Sequence, residues 1–146
     1  MKWKWRILLF LVVALVGMQF VPLDRSNPPV TGEIDAPEKV MTVLRKACYD
    51  CHSNEVKWPW YAYVAPMSFA VVHDVEEGRE HVNFSEWDKV SAKKRAKIIE
   101  ECWEEVEEGE MPLAIYKPLH PEAKLTAEDL EALKGWAAAY GAHDDD

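Results

Sequence analysis

The chain has 146 residues, a length that favours a single domain. Apolar residues make up 49% and charged residues 29% of it, a balance typical of a globular protein and not of a disordered one. Basic residues number 17 and acidic residues 26, which gives a net charge of −9. Because Lys2, Lys4 and Arg6 supply three of the positive charges, the rest of the chain is near −12. Such a charge repels a phosphate backbone, so the composition excludes DNA or RNA as a partner.

The amino terminus has the pattern of a targeting signal. Basic residues within positions 2–6 precede an apolar run over positions 7–21, as in secretory signals. The run is about 15 residues long, whereas a comfortable transmembrane helix needs ~20. No small-x-small cleavage site follows, and Trp3 and Trp5 suit the headgroup level. We therefore expect residues 1–21 to be an uncleaved signal anchor that contacts the membrane through residues 7–21. A cleaved signal peptide is the first alternative and a buried helix of a soluble fold the second.

The rest of the chain divides into three parts. Residues 22–34 hold three prolines and are expected to form an extended tether. Residues 35–141 form one domain, and residues 142–146 form an acidic tail. No convincing strand pattern occurs, so we predict an all-α fold. Helices are expected from about Asp35 into Cys48, over 68–77 with Gly78 as the cap, over about 92–108 with Gly109 as the cap, and after the capping residue Thr126.

The segment Cys48-Tyr49-Asp50-Cys51-His52 has the C-x-x-C-H pattern of c-type haem attachment. Two intervening residues let both sulfurs reach one edge of the porphyrin and form thioether bonds to it. The adjacent His52 is then placed under the iron as its proximal ligand. A helix that leads into the motif and an export signal that precedes it both suit this chemistry. The expected cofactor is one covalently attached haem c, with its iron.

Other interpretations of the cysteines are weaker. A thioredoxin-like redox pair needs a βαβ context, and no strand pattern precedes Cys48. A zinc site needs further ligands, and neither Cys102 nor His120 has paired spacing. A plain Cys48–Cys51 disulfide is the remaining alternative. Cys102 lies on the apolar stripe of its predicted helix and is interpreted as a small buried hydrophobic residue.

The sixth ligand of the iron decides between electron transfer and reactivity with small molecules. Met111 is the preferred candidate, because Pro112 follows it and stiffens a loop between two helices. Met67, His73 and His81 are the alternatives, and either histidine would give a bis-histidine haem. His120 and His143 are interpreted as solvated.

Other side chains suit the surroundings of a haem. Tryptophan and tyrosine could donate hydrogen bonds to haem propionates. Arg79 is interpreted either as a propionate partner or as a solvated residue. Five tryptophans outside the amino terminus could enclose the macrocycle or form a generic core: Trp58, Trp60, Trp87, Trp103 and Trp136.

The order of helix, C-x-x-C-H, aromatic loop, Met-Pro loop and closing helix resembles the class I cytochrome c fold. Residues 35–140 are more closely similar to the small haem-binding domain proteins of bacteria. The segments that carry this resemblance are Cys48–Ser53, Trp58-Pro59-Trp60-Tyr61, His73–Asn83 with Gly78-Arg79-Glu80-His81, Asn83-Phe84-Ser85, Glu108–Pro112 and the terminal helix. By position, the cytochrome pattern implies the haem-ligand roles of Cys48, Cys51, His52 and Met111.

We therefore expect a membrane-tethered monohaem cytochrome of the bacterial inner membrane that faces the periplasm, or a periplasmic one if the signal is cleaved. It is expected to be an electron carrier and not an enzyme. Its acidic body suits redox partner proteins that dock through a basic surface. The alternative function is a haem enzyme, or a gas or redox sensor, with an open or displaceable sixth iron ligand.

Overall fold

The computed structural model describes residues 2–141, so the predicted acidic tail lies outside the described residues. Short 3₁₀ turns cover Trp60–Tyr63, Trp87–Lys89 and Pro121–Ala123. Over residues 2–141 there is no strand, only an isolated bridge between Gly32 and Glu86. The all-α prediction is therefore confirmed. The helices are α1 (Lys2–Gln19), α2 (Glu38–Ala47), α3 (Tyr49–His52), α4 (Met67–His81), α5 (Ala92–Glu107) and α6 (Ala127–Gly141).

The core lies where α2, α5 and α6 pack together. Each of these helices buries apolar side chains at the i, i+3 and i+4 spacing that places them on one face. Loop aromatics close the core from the side of α3. The buried members of the core include Val40, Val43 and Leu44 of α2, Ile98 and Ile99 of α5, Leu133 and Trp136 of α6, and Tyr49, Phe84 and Trp87.

Local sequence signals set several helix ends. The Thr126 hydroxyl accepts the N–H of Asp129 at 3.2 Å, and the Asp129 carboxylate accepts the N–H of Thr126 at 2.7 Å, which is the predicted capping box of α6. Gly109 follows α5 with φ +83°, a conformation that favours glycine. The predicted start of α2 differs: the helix begins at Glu38 after Pro37, and no side chain caps it.

Residues 25–34, which we call the strap, are extended but attached to the body. The N–H groups of Thr31 and Gly32 donate to the Ser85 carbonyl at 3.0 and 3.2 Å, and the Ile34 N–H donates to the Phe84 carbonyl at 2.9 Å. Asn54 adds a side-chain hydrogen bond to the Pro29 carbonyl at 3.1 Å. Most of the segment expected to be a free tether is therefore held against the loop that follows α4.

α1 contains the apolar run, and it buries none of its described side chains. Within residues 2–141, no helix is both long enough and apolar enough to cross a membrane. The predicted signal anchor over residues 1–21 is therefore not supported. The physical reason is that Lys2, Lys4 and Arg6 lie within this 18-residue helix, which leaves too short an apolar stretch.

Candidate functional site

The C-x-x-C-H residues lie where α2 ends and α3 begins. The Cys48 N–H donates to the Leu44 carbonyl at 2.9 Å and closes α2. The Cys48 carbonyl then accepts the N–H groups of Cys51 at 3.1 Å and His52 at 2.9 Å. A single helical turn therefore carries both thiols and the imidazole, and the two cysteines are free thiols, each half-buried.

Burial keeps both thiols neutral. It raises the pKa of Cys48 to about 12, with smaller contributions from Cys102 and Cys51. Burial also raises the pKa of Cys51 to about 12, with the nearby carboxylates of Asp74 and Asp50 adding to it. At neutral pH these groups are protonated thiols, and no disulfide joins them.

The imidazole of His52 is held from behind by backbone carbonyls of α4 and its end. Its Nδ1 lies 2.8 Å from the Gly78 carbonyl oxygen and 3.3 Å from that of Val82. A carbonyl only accepts hydrogen bonds, so this network assigns the proton to Nδ1 and leaves the lone pair on Nε2. Burial lowers the pKa of His52, so the ring is neutral at pH 7. A neutral imidazole oriented through Nδ1 is the arrangement that metal-ligating histidines use.

Gly78 is the point where α4 touches the motif. A Cβ added at this position would lie 2.7 Å from the Cys51 carbonyl oxygen and 3.1 Å from its Cβ. The prediction that Gly78 ends its helix is wrong, because α4 continues through it to His81. Its lack of a side chain serves close packing, so the backbone of α4 can reach both Cys51 and His52.

We expect Gly78→Ala to destabilise the protein by about 1–3 kcal/mol, because the added methyl group overlaps backbone that cannot rotate away. Gly135→Ala in α6 is the matched control, since a Cβ there meets nothing within 4 Å. Alanine is the better helix former, so the control should gain about 0.5–1 kcal/mol. Urea unfolding of the haem-loaded protein measures both. Equal stability of the two variants would contradict the close contact at Gly78.

The loop after α4 holds the motif from another side. The Phe84 N–H donates to the His52 carbonyl at 2.8 Å, and the Phe84 ring lies 6.2 Å from the imidazole centroid. The Ser85 hydroxyl accepts the Asn54 N–H at 3.0 Å, and the Asn83 amide donates to the Asn54 side-chain oxygen at 2.9 Å. The segments Cys48–Ser53 and Asn83-Phe84-Ser85, both singled out from the sequence, are therefore brought together.

Arg79 connects the motif to the strap. Its Nε donates to the Ser53 carbonyl at 2.8 Å, and its guanidinium also reaches the Asn27 side-chain oxygen at 3.1 Å. Burial lowers the pKa of Arg79, although the guanidinium stays charged. Its donors contact protein acceptors, so the expectation of a purely solvated residue is wrong, and the role of Arg79 as a propionate partner stays a prediction.

A polar network beside Cys51 was not predicted. The Tyr116 hydroxyl donates to the Asp50 carboxylate at 2.7 Å, and the Tyr116 ring stacks on His120 at 3.9 Å. The Tyr61 hydroxyl lies 2.6 Å from Nε2 of His120, whose Nδ1 lies 3.0 Å from the Glu122 carboxylate. The expectation that His120 is solvated is wrong, since its side chain is only 12% exposed. Tyr61 lies 59 residues from His120 in sequence, and Tyr116 lies 66 residues from Asp50, so no local pattern could reveal these two hydrogen bonds.

The candidates for the sixth ligand lie on two elements. Met111 is half-buried in the turn after α5, where its N–H donates to the Glu105 carbonyl at 3.0 Å. Met67 begins α4 and is exposed. His73 and His81, also on α4, are exposed, and His73 lies 3.9 Å from Glu77. Within residues 2–141, no hydrogen bond or ring contact joins any of these four side chains to Nε2 of His52.

Two buried donors among residues 2–141 lack a protein acceptor, the indole Nε1 groups of Trp58 and Trp136. Buried N–H groups are normally paired, so an orphaned one calls for a partner outside the chain. Trp58 lies six positions after His52. A ligand with carboxylate groups beside the motif would supply such an acceptor. Together with the free thiols and the Nε2 lone pair of His52, this donor set fits a haem.

Cys102 lies near this site without belonging to the motif. It is half-buried, packs against the core, and contributes to the raised pKa of Cys48. Burial raises the pKa of Cys102 to about 12, and the negative charges of Glu101 and Glu105 raise it further. These observations agree with its interpretation as a small core residue.

Comparison with known proteins identifies the family. No curated protein and no solved structure matches the chain significantly. The sequence profile of the haem-binding domain matches residues 13–139. This match covers most of the chain and includes the motif, both helices that frame it and the turn at Met111. The protein is therefore a haem-binding protein and belongs to the haem-binding domain family.

Proposed function

We propose that this protein is a monohaem c-type cytochrome that carries electrons between partner proteins. The observation that carries the proposal is the fixed imidazole of His52. Its Nδ1 is bonded to the Gly78 carbonyl at 2.8 Å, which leaves Nε2 as a ligand, and two free thiols flank it on the same turn. In this proposal the haem supplies a reversible ferric–ferrous couple, and the protein sets its potential through ligands and burial.

Cys48 and Cys51 would hold the haem covalently. Each thioether forms when a thiol adds across a vinyl double bond: the sulfur bonds to one carbon, the proton ends on the other, and no oxidant is needed. The raised pKa values of both cysteines keep them as thiols. Trp58 would donate its orphaned indole N–H to a propionate oxygen.

Met111 remains our proposed sixth ligand. The carbonyls of Gly78 and Val82 face Nδ1 of His52, so the end of α4 lies behind the imidazole, on the side away from Nε2. This arrangement disfavours His73 and His81, which lie on α4. Met111 comes from a different element, the turn between α5 and α6, and its backbone is tied to α5. A thioether ligand would close the iron to small molecules, which suits an electron carrier.

The charge distribution supports an electron carrier that meets a basic partner. Beyond Arg6 the chain is near −12, and no enzymatic step is proposed for it. Electrostatic attraction to a basic docking surface would speed encounter and weaken as salt rises. We further propose that α1 directs export, so that the domain works in the bacterial periplasm, where c-type haem attachment takes place.

The test is the spectrum of the protein made in cells that mature c-type cytochromes. We expect one haem per chain that survives acid-acetone extraction, with two thioethers in its pyridine haemochrome spectrum. The ferrous protein should bind carbon monoxide slowly or not at all. A colourless protein would overturn the proposal, whereas rapid carbon monoxide binding would favour the haem enzyme or sensor.

A further inference from the structure

A cluster of exposed apolar side chains lies beside the end of α1, at the turn Trp60–Tyr63 and the start of α4. Its members, which we call the platform, are 39–81% exposed: Phe20, Val21, Trp60, Tyr63, Val64 and Met67. Single exposed apolar residues are ordinary, but a concentration of them marks a binding surface. The platform adjoins the end of α1.

Hydrogen bonds fix α1 to the platform. The Gln19 side-chain amide donates to the Tyr63 carbonyl at 2.7 Å, and its oxygen accepts the Ala65 N–H at 3.0 Å. Gln19, the last residue of α1, is therefore hydrogen-bonded to the backbone on both sides of Val64. Arg25 adds a further contact, since its guanidinium lies 4.9 Å over the Tyr63 ring and donates to the Ala62 carbonyl at 2.6 Å. α1 and the turn Trp60–Tyr63 thus present one continuous surface.

The exposed surface of α1 indicates what covers the platform. Between Ile7 and Val16, its large apolar side chains are 44–71% exposed. Successive helical residues are rotated by about 100°, so this run presents apolar side chains in every direction. A groove on a protein partner, or on a second copy, covers one side of a helix. A lipid interior surrounds all sides.

Charge and aromatic residues agree with a lipid surface. The start of α1 holds Lys2, Lys4 and Arg6, and its first turn has no acidic residue. These cations suit anionic headgroups, and since the remaining chain is near −12, they favour an approach to the lipid through the α1 side of the protein. Trp3 and Trp5 at one end, and Trp60 and Tyr63 at the other, have the amphipathic rings that favour the headgroup boundary.

We propose that the platform rests on a phospholipid bilayer, at the headgroup boundary, while α1 inserts beside it into the apolar layer. The contact of the platform with the headgroups does not depend on how deeply α1 lies in the apolar layer. It goes beyond the proposed electron-carrier function, because it sets how the domain sits on the membrane. Tyr61, in the same turn as Trp60 and Tyr63, is bonded to His120 of the network beside Cys51. The two hydrogen bonds of the Gln19 side chain to Tyr63 and Ala65 would therefore hold the haem site in a defined orientation to the lipid surface.

The first measurement is hydrogen–deuterium exchange of the full haem-loaded chain with and without phosphatidylglycerol-containing vesicles. We expect the amides of residues 60–67 to exchange at least about threefold more slowly with vesicles, and those of α5 to be unchanged. Protection of α1 alone would overturn the platform. A different outcome is that residues 60–67 become protected without vesicles as the protein concentration rises. That result would also overturn the lipid contact, because it would show that a second copy of the chain covers the platform.

The second measurement is vesicle co-flotation of a matched pair of variants. Val64 on the platform and Val30 on the strap are both 47% exposed. We expect Val64→Ser to weaken vesicle binding about three- to tenfold and Val30→Ser to leave it unchanged, since only the first removes methyl groups from the lipid contact. Equal effects of the two would contradict the proposal. Haem content, measured on the same samples, reports separately on the proposed function.

Discussion

Replacing Cys48 and Cys51 together by alanine should remove all covalently bound haem from the protein. The two thiols are the only sulfur atoms on the turn that carries His52. The Cys48 carbonyl accepts hydrogen bonds from the N–H groups of Cys51 and His52. Without them, haem would be held by ligation and burial alone, which organic solvent at low pH disrupts. The measurement is haem retained on the polypeptide after acid-acetone extraction.

Cys102→Ala provides the matched control for this experiment. Cys102 is also half-buried, burial also raises its pKa to about 12, and it lies close enough to Cys48 to affect its pKa. We expect this variant to keep one covalent haem per chain and to lose about 1 kcal/mol or less of stability, as a small core truncation does. The covalent assignment fails if the double variant retains haem through extraction, or if Cys102→Ala loses it.

The single variants refine the result. Cys48→Ala and Cys51→Ala should each retain one thioether, and the remaining free vinyl group would shift the pyridine haemochrome spectrum away from that of the parent protein. Identical spectra for the parent and either single variant would show that the replaced sulfur was not bonded to haem. Both positions are tested because a c-type site bonds the haem through both cysteines, whereas accidental attachment of haem would use only one of them.

The sequence was sufficient for features that depend on neighbouring residues. The spacing of Val40, Val43 and Leu44 predicts the buried face of α2, and Thr126 with Asp129 predicts the start of α6. Gly109 marks the end of α5 because its φ of +83° favours glycine. Each signal acts within one or two turns, so a single sequence reveals it.

Features that depend on distant parts of the chain could not be predicted in the same way. Gly78 has the same local pattern as a helix cap, yet its role comes from the Cys51 backbone 2.7 Å from where its Cβ would lie. The acceptor for Nδ1 of His52 lies 26 residues away. The proline-containing strap looks like a linker until Ser85 and Asn54 are seen to bind it. His120 looks solvated until Tyr61, 59 residues earlier in the sequence, is placed against it.

Met111→Ala should lower the reduction potential of the haem, by on the order of 0.1 V, and open the ferrous iron to carbon monoxide. Thioether ligation stabilises the ferrous state relative to nitrogen or water ligands, so its loss favours the ferric state. The structure supports this choice because α4, which carries His73 and His81, lies on the Nδ1 side of His52. The measurements are a spectroelectrochemical titration and a carbon monoxide difference spectrum.

Met67→Ala is the control, because Met67 is also a methionine next to a proline but is exposed at the start of α4. We expect it to leave both the potential and the carbon monoxide response unchanged. If Met111→Ala has the spectrum of the parent protein, Met111 is not the ligand, and whichever of Met67→Ala, His73→Ala and His81→Ala opens the iron identifies the side chain that is. If the parent protein already binds carbon monoxide rapidly, the sixth position is open and the electron-carrier proposal gives way to the haem enzyme or sensor.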